Sequence, residues 1–261
     1  MIKIETTTET IESKGGLILA GKAAMKAGIG AIKSLIAKNA GVIIASLFSL
    51  MVGALGLQRV LGLGSYKTAW TWLHKIRRAM VRPDRDRLFG RVEVDETYIG
   101  GPGIGGKRGR GAENKALAVI AVETNDKSVG RIRIGIVPDV SRESLHGFIQ
   151  ESVEAGSTVI TDGWLGYSGI ETIGYHHEIT QNHDEDMLLP HVHTVISLMK
   201  RWVMGTLQGS CSQERMQYYF DEYTFRFNRR TSKSRGMLFY RLIQNAVQQE
   251  PVTYQNIIAR Q

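Results

Sequence analysis

Cysteine is almost absent from this chain: Cys211 is the only one in 261 residues. A single thiol excludes an internal disulfide framework and a zinc ribbon, and it fits a reducing, cytoplasmic setting. No basic segment followed by an apolar core opens the sequence. Residues 1–13 are polar and rich in Thr and Glu, so no secretory signal is expected. The pattern GxxxxGK[ST] is also missing, so the glycine-rich stretch 100–111 is not a nucleotide-binding P-loop. Acidic residues are in the minority, 25 against 33 Lys and Arg, leaving a net charge of +8. That excess favours a polyanionic partner, nucleic acid before anionic membrane. Hydrophobic residues make up 43 %, which excludes a disordered chain and supports a sizeable core.

The first 53 residues differ in texture from everything after them. Lys22, Lys26, Lys33 and Lys38 punctuate a Gly/Ala/Ile-rich run, as in a basic amphipathic helix. Residues 39–58 carry no charge at all, and 41–57 are just long enough for a marginal membrane span. Their Gly and Ser content favours a buried or partner-packed helix, with membrane attachment through residues 15–57 as the alternative. Residues 54–61 and 66–80 are expected to be two helices joined by Gly62-Leu-Gly-Ser65. The second has apolar residues at 69, 70, 73, 76 and 80, a helical period, and carries Lys67, Lys75, Arg77 and Arg78 elsewhere on its surface. This is the layout of a helix-turn-helix that reads DNA, and any helical hairpin shares it. A charged linker, Asp84-Arg-Asp-Arg87, follows.

From Arg91 the pattern becomes α/β. A strand is expected to end near Asp95; a basic loop with Lys107, Arg108 and Arg110 follows, suited to contacting phosphates. Residues 115–123 read as a buried strand, apolar without a break from Ala116 to Val122, and 130–137 alternate like a half-exposed one. Ser141 can cap a helix through Val153 with Glu143 in its first turn, and residues 158–161 form a fourth strand delivering Asp162. Three strands, a helix and a fourth strand resemble the opening of a ribonuclease-H-like fold.

Asp95 and Asp162 lie 67 residues apart, and His193 follows 31 residues after Asp162. His193 and Lys200 are seven apart, two helical turns, and so share a face. Pro190 suits the start of that helix. Val192, Val195, Ile196, Met199 and Val203 form its core-facing stripe, leaving His193, Ser197, Lys200 and Arg201 accessible. Two carboxylates and a third polar ligand can hold two divalent ions for phosphoryl transfer. Lys200 would then contact a phosphate near the scissile bond. Imidazole suits Mn or Zn better than Mg, so His193 either ligates or orients water. Glu93, Glu96 and the run Asp184-Glu185-Asp186 are alternative ligands. His176, His177, His183, His191 and His193 are too irregularly spaced for a zinc site. In residues 218–235 aromatics alternate with basic residues, as in a helix packed on the sheet that turns Arg226, Arg229, Arg230, Lys233 and Arg235 toward nucleic acid.

Val92-Glu-Val-Asp-Glu-Thr-Tyr-Ile-Gly-Gly101, Thr161-Asp-Gly-Trp-Leu-Gly-Tyr167, His193 to Trp202 and Phe225-Arg-Phe-Asn-Arg-Arg230 resemble the DDE-type transposases of bacterial insertion sequences, ISXO-like group. Four separated motifs occur in order between about Ala54 and Val247. The resemblance implies a ribonuclease-H-like mixed sheet flanked by helices, preceded by a small helix-turn-helix-like region. It implies two Mg ions, with Mn possible, held by Asp95, Asp162 and His193, and Lys200 seven residues beyond the third position. The implied activity is cleavage and strand transfer of double-stranded DNA at terminal inverted repeats, into target DNA, by a homo-oligomer. The corresponding division is an atypical segment 1–53, a DNA-binding region 54–90, a catalytic domain 91–247 and a tail 248–261. Many relatives begin with a cysteine-rich zinc segment that this chain cannot form. The alternative is therefore a catalytically silent remnant that only binds DNA.

Overall fold

The computed structural model describes residues 53–82, 84–100, 115–125, 128–180, 189–207 and 215–258. The chain divides into two compact units, Met1–Gly64 and Ser65–Gln261. In the first, the described part is helix α1 (Ala54–Leu61). It stops at Gly62, whose left-handed backbone (φ 61°) lets the N–H of Leu63 reach the carbonyl of Gln58 at 2.9 Å. Residues 15–52, expected to be helical, and the basic loop residues Lys107, Arg108 and Arg110 lie outside the described residues. So do His183 and the acidic run 184–186. Among the described residues no helix is long and apolar enough to cross a membrane.

The second unit opens with α2 (Tyr66–Ala79), followed by β1 (Arg91–Ile99), β2 (Ala116–Asn125) and β3 (Ser128–Val137). Then come α3 (Arg142–Ser152), β4 (Thr158–Thr161), β5 (His176–Ile179), α4 (Pro190–Leu207), α5 (Met216–Phe227), α6 (Arg235–Gln248) and α7 (Tyr254–Ile258). The five strands form one mixed sheet in the order β3-β2-β1-β4-β5. The three early strands run antiparallel, while β4 lies parallel to both β1 and β5. This is a ribonuclease-H-like α/β fold.

Each face of the sheet buries its own core. On one, Ile120, Val122, Ile132 and Ile134 pack under Val192, Val195 and Met199 of α4 and Phe220 of α5. On the other, Val92, Val94, Val119 and Ala121 pack under Leu145 and Ile149 of α3, with Tyr167 and Ile170. Central β2 is therefore covered on both sides, which is why its sequence is continuously apolar rather than alternating. Ser141 caps α3 as expected, accepting the N–H of Ser144 at 3.3 Å.

Four expectations are corrected. First, β1 does not end near Asp95 but continues to Ile99, because Glu96–Ile99 pair with Val119–Ala116 of β2. Second, β5 is an added strand. It is short and polar, carries no hydrophobic alternation, and is held by its parallel pairing to β4. Third, the arginine at 133 is not half-exposed: Arg133 is buried, with hydrogen bonds to the carbonyls of Ile132 and Asp86.

Fourth, Arg77 does not lie on an open DNA-reading face. It is buried in α2 and paired with the equally buried Glu222 of α5 at 2.9 Å, its guanidinium over the Tyr219 ring. His74 is buried beside it, against Trp70, Tyr218 and Tyr219. The helix turns this polar stripe inward because the opposing helix offers a carboxylate and aromatic rings. Lys67 and Lys75 remain exposed and Arg78 half-exposed. Short helix α7 also packs on α2, placing the Tyr254 ring under the Lys67 ammonium, 3.9 Å from the ring centroid, with Ile257 buried.

Candidate active site

Residue 95 lies where strand pairing changes. On one side β1 stays bonded to β2 along its length; on the other, β4 pairs only with Arg91–Glu93, matching Glu93 to Ile160. Continuing that parallel register by two residues sets Asp95 beside Asp162. The two carboxylates thus come together because one strand ends while its neighbour runs on.

Each carboxylate is oriented by the backbone. Asp95 Oδ1 accepts the N–H of Glu96 at 2.8 Å, and Asp162 Oδ1 accepts the N–H of Trp164 at 3.0 Å. Burial raises the Asp95 pKa above the ordinary carboxylate range and the nearby Asp162 charge adds to it, against the lowering pull of the Glu96 N–H and of His193. Asp162 is exposed. One aspartate is thus recessed and the other open to a ligand.

The turn after Asp162 is built around two glycines. Gly163 takes a left-handed φ of 82°. A Cβ on Gly166 would lie 2.6 Å from the Val140 carbonyl oxygen, so only glycine fits there. Between them the Trp164 indole N–H donates to that same carbonyl at 3.2 Å. Tyr167, wholly buried, donates its hydroxyl to Glu96 Oε2 at 2.8 Å, and burial holds its pKa well above normal. The Asp-Gly-Trp-Leu-Gly-Tyr motif is therefore a rigid bracket around Asp162.

Helix α4 supplies the third group. His193 Nε2 stands 3.2 Å from Asp95 Oδ2, with the imidazole two-fifths exposed. The core-facing stripe Val192, Val195, Ile196, Met199 and Val203 is buried as the sequence implied. Lys200 and Arg201 are exposed, Lys200 two turns or about 10 Å along the helix from His193.

A further residue fixes this helix. Buried Glu93, two residues before Asp95 on the same face of β1, accepts the N–H groups of His191 (3.0 Å) and Val192 (2.8 Å) through Oε2. Its Oε1 lies 2.7 Å from His191 Nδ1. A carboxylate on the unsatisfied N–H groups and positive dipole end of a helix is the favourable arrangement. Glu93–His191 and Asp95–His193 thus form two adjacent strand-to-helix contacts, the first locking the register of the second. Glu93 appeared in the sequence only as an alternative ligand; its engagement with α4 gives it a positioning role. Glu96, the other alternative, is on the Tyr167 side.

The donor set of two carboxylates and an imidazole suits a divalent cation. Oδ2 of Asp95 and Nε2 of His193 converge on one point, and the crowding of Asp95 by Asp162 is what a cation would relieve. Among the described residues no three such side chains stand in closed metal-ligating geometry. His177, another histidine of the run, is instead 2.9 Å from the Thr161 hydroxyl.

In the basic C-terminal motif Arg226 and Arg229 are half-buried and Arg230 is exposed. Arg226 lies 3.4 Å from Glu222, and Arg229 packs over the Phe225 ring with its guanidinium 4.0 Å from the centroid. Arg230 stacks on Phe227 and donates to the carbonyls of Val129 and Gly130 at the edge of β3. These arginines are engaged by the fold itself. The neighbouring Asn228 bonds that same edge, and Gln217 bonds both Ile134 O and Ile136 N.

A family model described as the ISXO2-like transposase domain matches residues 87–228, more than half of the chain. A search of curated proteins finds no match. The chain belongs to the ISXO2-like transposase domain family.

Proposed function

We propose that this member of the family cleaves DNA at the ends of an insertion sequence and joins the freed 3′ ends to target DNA. The observation that carries the proposal is Asp95 at the point where β4 stops and β1 continues, with His193 Nε2 3.2 Å away and the Asp162 charge acting on it. Asp95, Asp162 and His193 would hold divalent Mg or Mn. Such ions would supply Lewis-acid activation of the attacking oxygen and stabilise charge on the leaving one.

The protein's own groups orient the reaction. Backbone N–H groups of Glu96 and Trp164 each fix one oxygen of an aspartate; the second oxygen of Asp95 meets His193, and that of Asp162 would be left for a ligand. Glu93 sets the height of α4 and hence of His193. Lys200, exposed two turns along the same helix, would meet a neighbouring DNA phosphate. In cleavage, water adds to phosphorus and the 3′ oxygen leaves with a proton. In joining, that 3′-hydroxyl adds to a target phosphodiester and expels a second 3′ oxygen.

DNA is the partner that the +8 charge and the exposed Lys67, Lys75, Lys200 and Arg201 support. Assembly as a homo-oligomer on paired ends, a DNA-binding role for residues 54–90 and a cytoplasmic setting belong to the same proposal. The test is Asp162→Ala on a duplex carrying the element's ends, with Mg or Mn. Cleavage should disappear while duplex binding persists; undiminished cleavage by the variant overturns the assignment.

A further inference from the structure

At the β3 edge of the sheet, two strands away from Asp95, a cavity of about 280 Å³ opens between β3, the C-terminal end of α5 and the connector after α2. The Arg133 side chain leaves the sheet on the face opposite Asp95. Arg133 is opposite Ala121 and Ala121 opposite Val94, so Arg133 points to the Val94 side, whereas Asp95 points to the other. Five arginines line the cavity: Arg82, Arg85, Arg131, Arg133 and Arg229.

Two carboxylates, Asp86 and Asp221, line the cavity with them, against five arginines. Arg82 is 2.9 Å from Asp86, Arg85 is 3.5 Å from Glu151, and Arg131 is 2.5 Å from Glu123. Arg133 and Arg229 instead donate to backbone carbonyls, those of Ile132 and Asp86 and that of Phe225. Carbonyls satisfy N–H groups but neutralise no charge. Burial first, then the charges of Arg85 and Arg131, depresses the Arg133 pKa to about 10. Burial followed by Arg82 and Arg241 lowers that of Arg229. Such mutual repulsion in a recessed space is relieved by an anion with several acceptor oxygens.

We infer that this arginine-lined cavity is a phosphate-binding site, distinct from the carboxylates of the candidate active site and at the β3 edge of the sheet. The phosphate can belong to a DNA backbone or be free. The DNA source rests on the transposase reading; binding of phosphate itself does not.

The experiment uses the full chain, Arg229→Met and Arg82→Gln, with two readouts. The first is thermal midpoint in inorganic phosphate against chloride at equal ionic strength. The second is the salt dependence of binding to duplex DNA lacking element ends. Phosphate should raise the wild-type midpoint by a few degrees, and both variants should lose most of that rise. If the source is DNA, the slope of log affinity against log salt falls by about one in Arg229→Met. If that slope is unchanged while the thermal effect is lost, the site stands and its ligand is free phosphate. No phosphate-specific rise in wild type, or equal rises in all three proteins, overturns the site. Arg82→Gln keeps the test sound if Arg229→Met fails to fold. Asp162→Ala should keep the thermal effect, so failure of the catalytic reading is distinguishable from failure of this one.

Discussion

Asn228 bonds both backbone groups of Ile132: its Oδ1 accepts the N–H at 2.7 Å and its Nδ2 donates to the carbonyl at 3.0 Å. One side chain thus does for edge strand β3 what a neighbouring strand would do. With Gln217 and Arg230 it covers an edge that otherwise offers unpaired hydrogen-bonding groups to other chains. Asn228→Ala is expected to cost about 2–3 kcal/mol, two hydrogen bonds plus partly unsatisfied backbone. It should also raise self-association at micromolar concentration. Denaturant unfolding and light scattering check both effects, and a variant as stable and as monodisperse as wild type contradicts this role.

Glu93 acts on chemistry through α4 and not by touching DNA. Glu93→Ala should lower kcat for end cleavage by about 100-fold, the scale expected for a displaced reacting group, with little change in KM for DNA. Glu93→Gln retains an oxygen for the His191 and Val192 N–H groups and should recover a large part of the loss. A purely structural role predicts lower stability for Ala with kcat per folded molecule unchanged; that result would remove Glu93 from the mechanism.

The Arg77–Glu222 pair is buried at both ends. Glu222→Gln alone should destabilise by about 3–5 kcal/mol, because a buried guanidinium loses its partner. The double change Arg77→Met with Glu222→Met should lie much closer to wild type, since it removes both desolvation costs. A double-mutant cycle in urea measures the difference. Additive losses would mean that the pair is not coupled.

His74 makes the second unit acid-sensitive. Burial first, then Arg77 and Arg215, lowers its pKa from 6.5 to about 3. The folded chain therefore keeps the imidazole neutral where the unfolded chain protonates it. Its contribution is fully present above pH 6.5 and is lost as pH falls from 6.5 toward 3, at up to about 1.4 kcal/mol per pH unit. Trp70, Tyr218 and Tyr219 surround the ring and bring no carboxylate to offset this. His74→Phe should flatten the stability profile between pH 4 and 6.5. An unchanged slope in that window refutes the assignment.

Local patterns revealed much of this. The stripe Val192–Val203 told helix from strand and placed His193 and Lys200 outward, and Ser141 and Pro190 marked two helix starts. The unbroken apolar run 116–122 announced a strand covered on both faces. What escaped depended on partners distant in sequence. Arg77 is buried because Glu222, 145 residues later, meets it. Arg230 meets carbonyls of Val129 and Gly130 on β3, a hundred residues away, which no local pattern announces. Short β5 carries no apolar signal and exists through its pairing with β4. Asp95 was identifiable, but its position beside a strand that stops short required the register of β4.

That stopping point has a consequence for the timing of synthesis. Asp95 leaves the ribosome early, yet Asp162 follows 67 residues later and His193 another 31 after that. Neither β4 nor α4 can be placed until the sheet they pack on exists. A nascent or truncated product ending before α4 would carry both aspartates without an assembled centre, and most of the positive excess would still be to come. The candidate site would come together only once α4 had been made and folded onto the sheet.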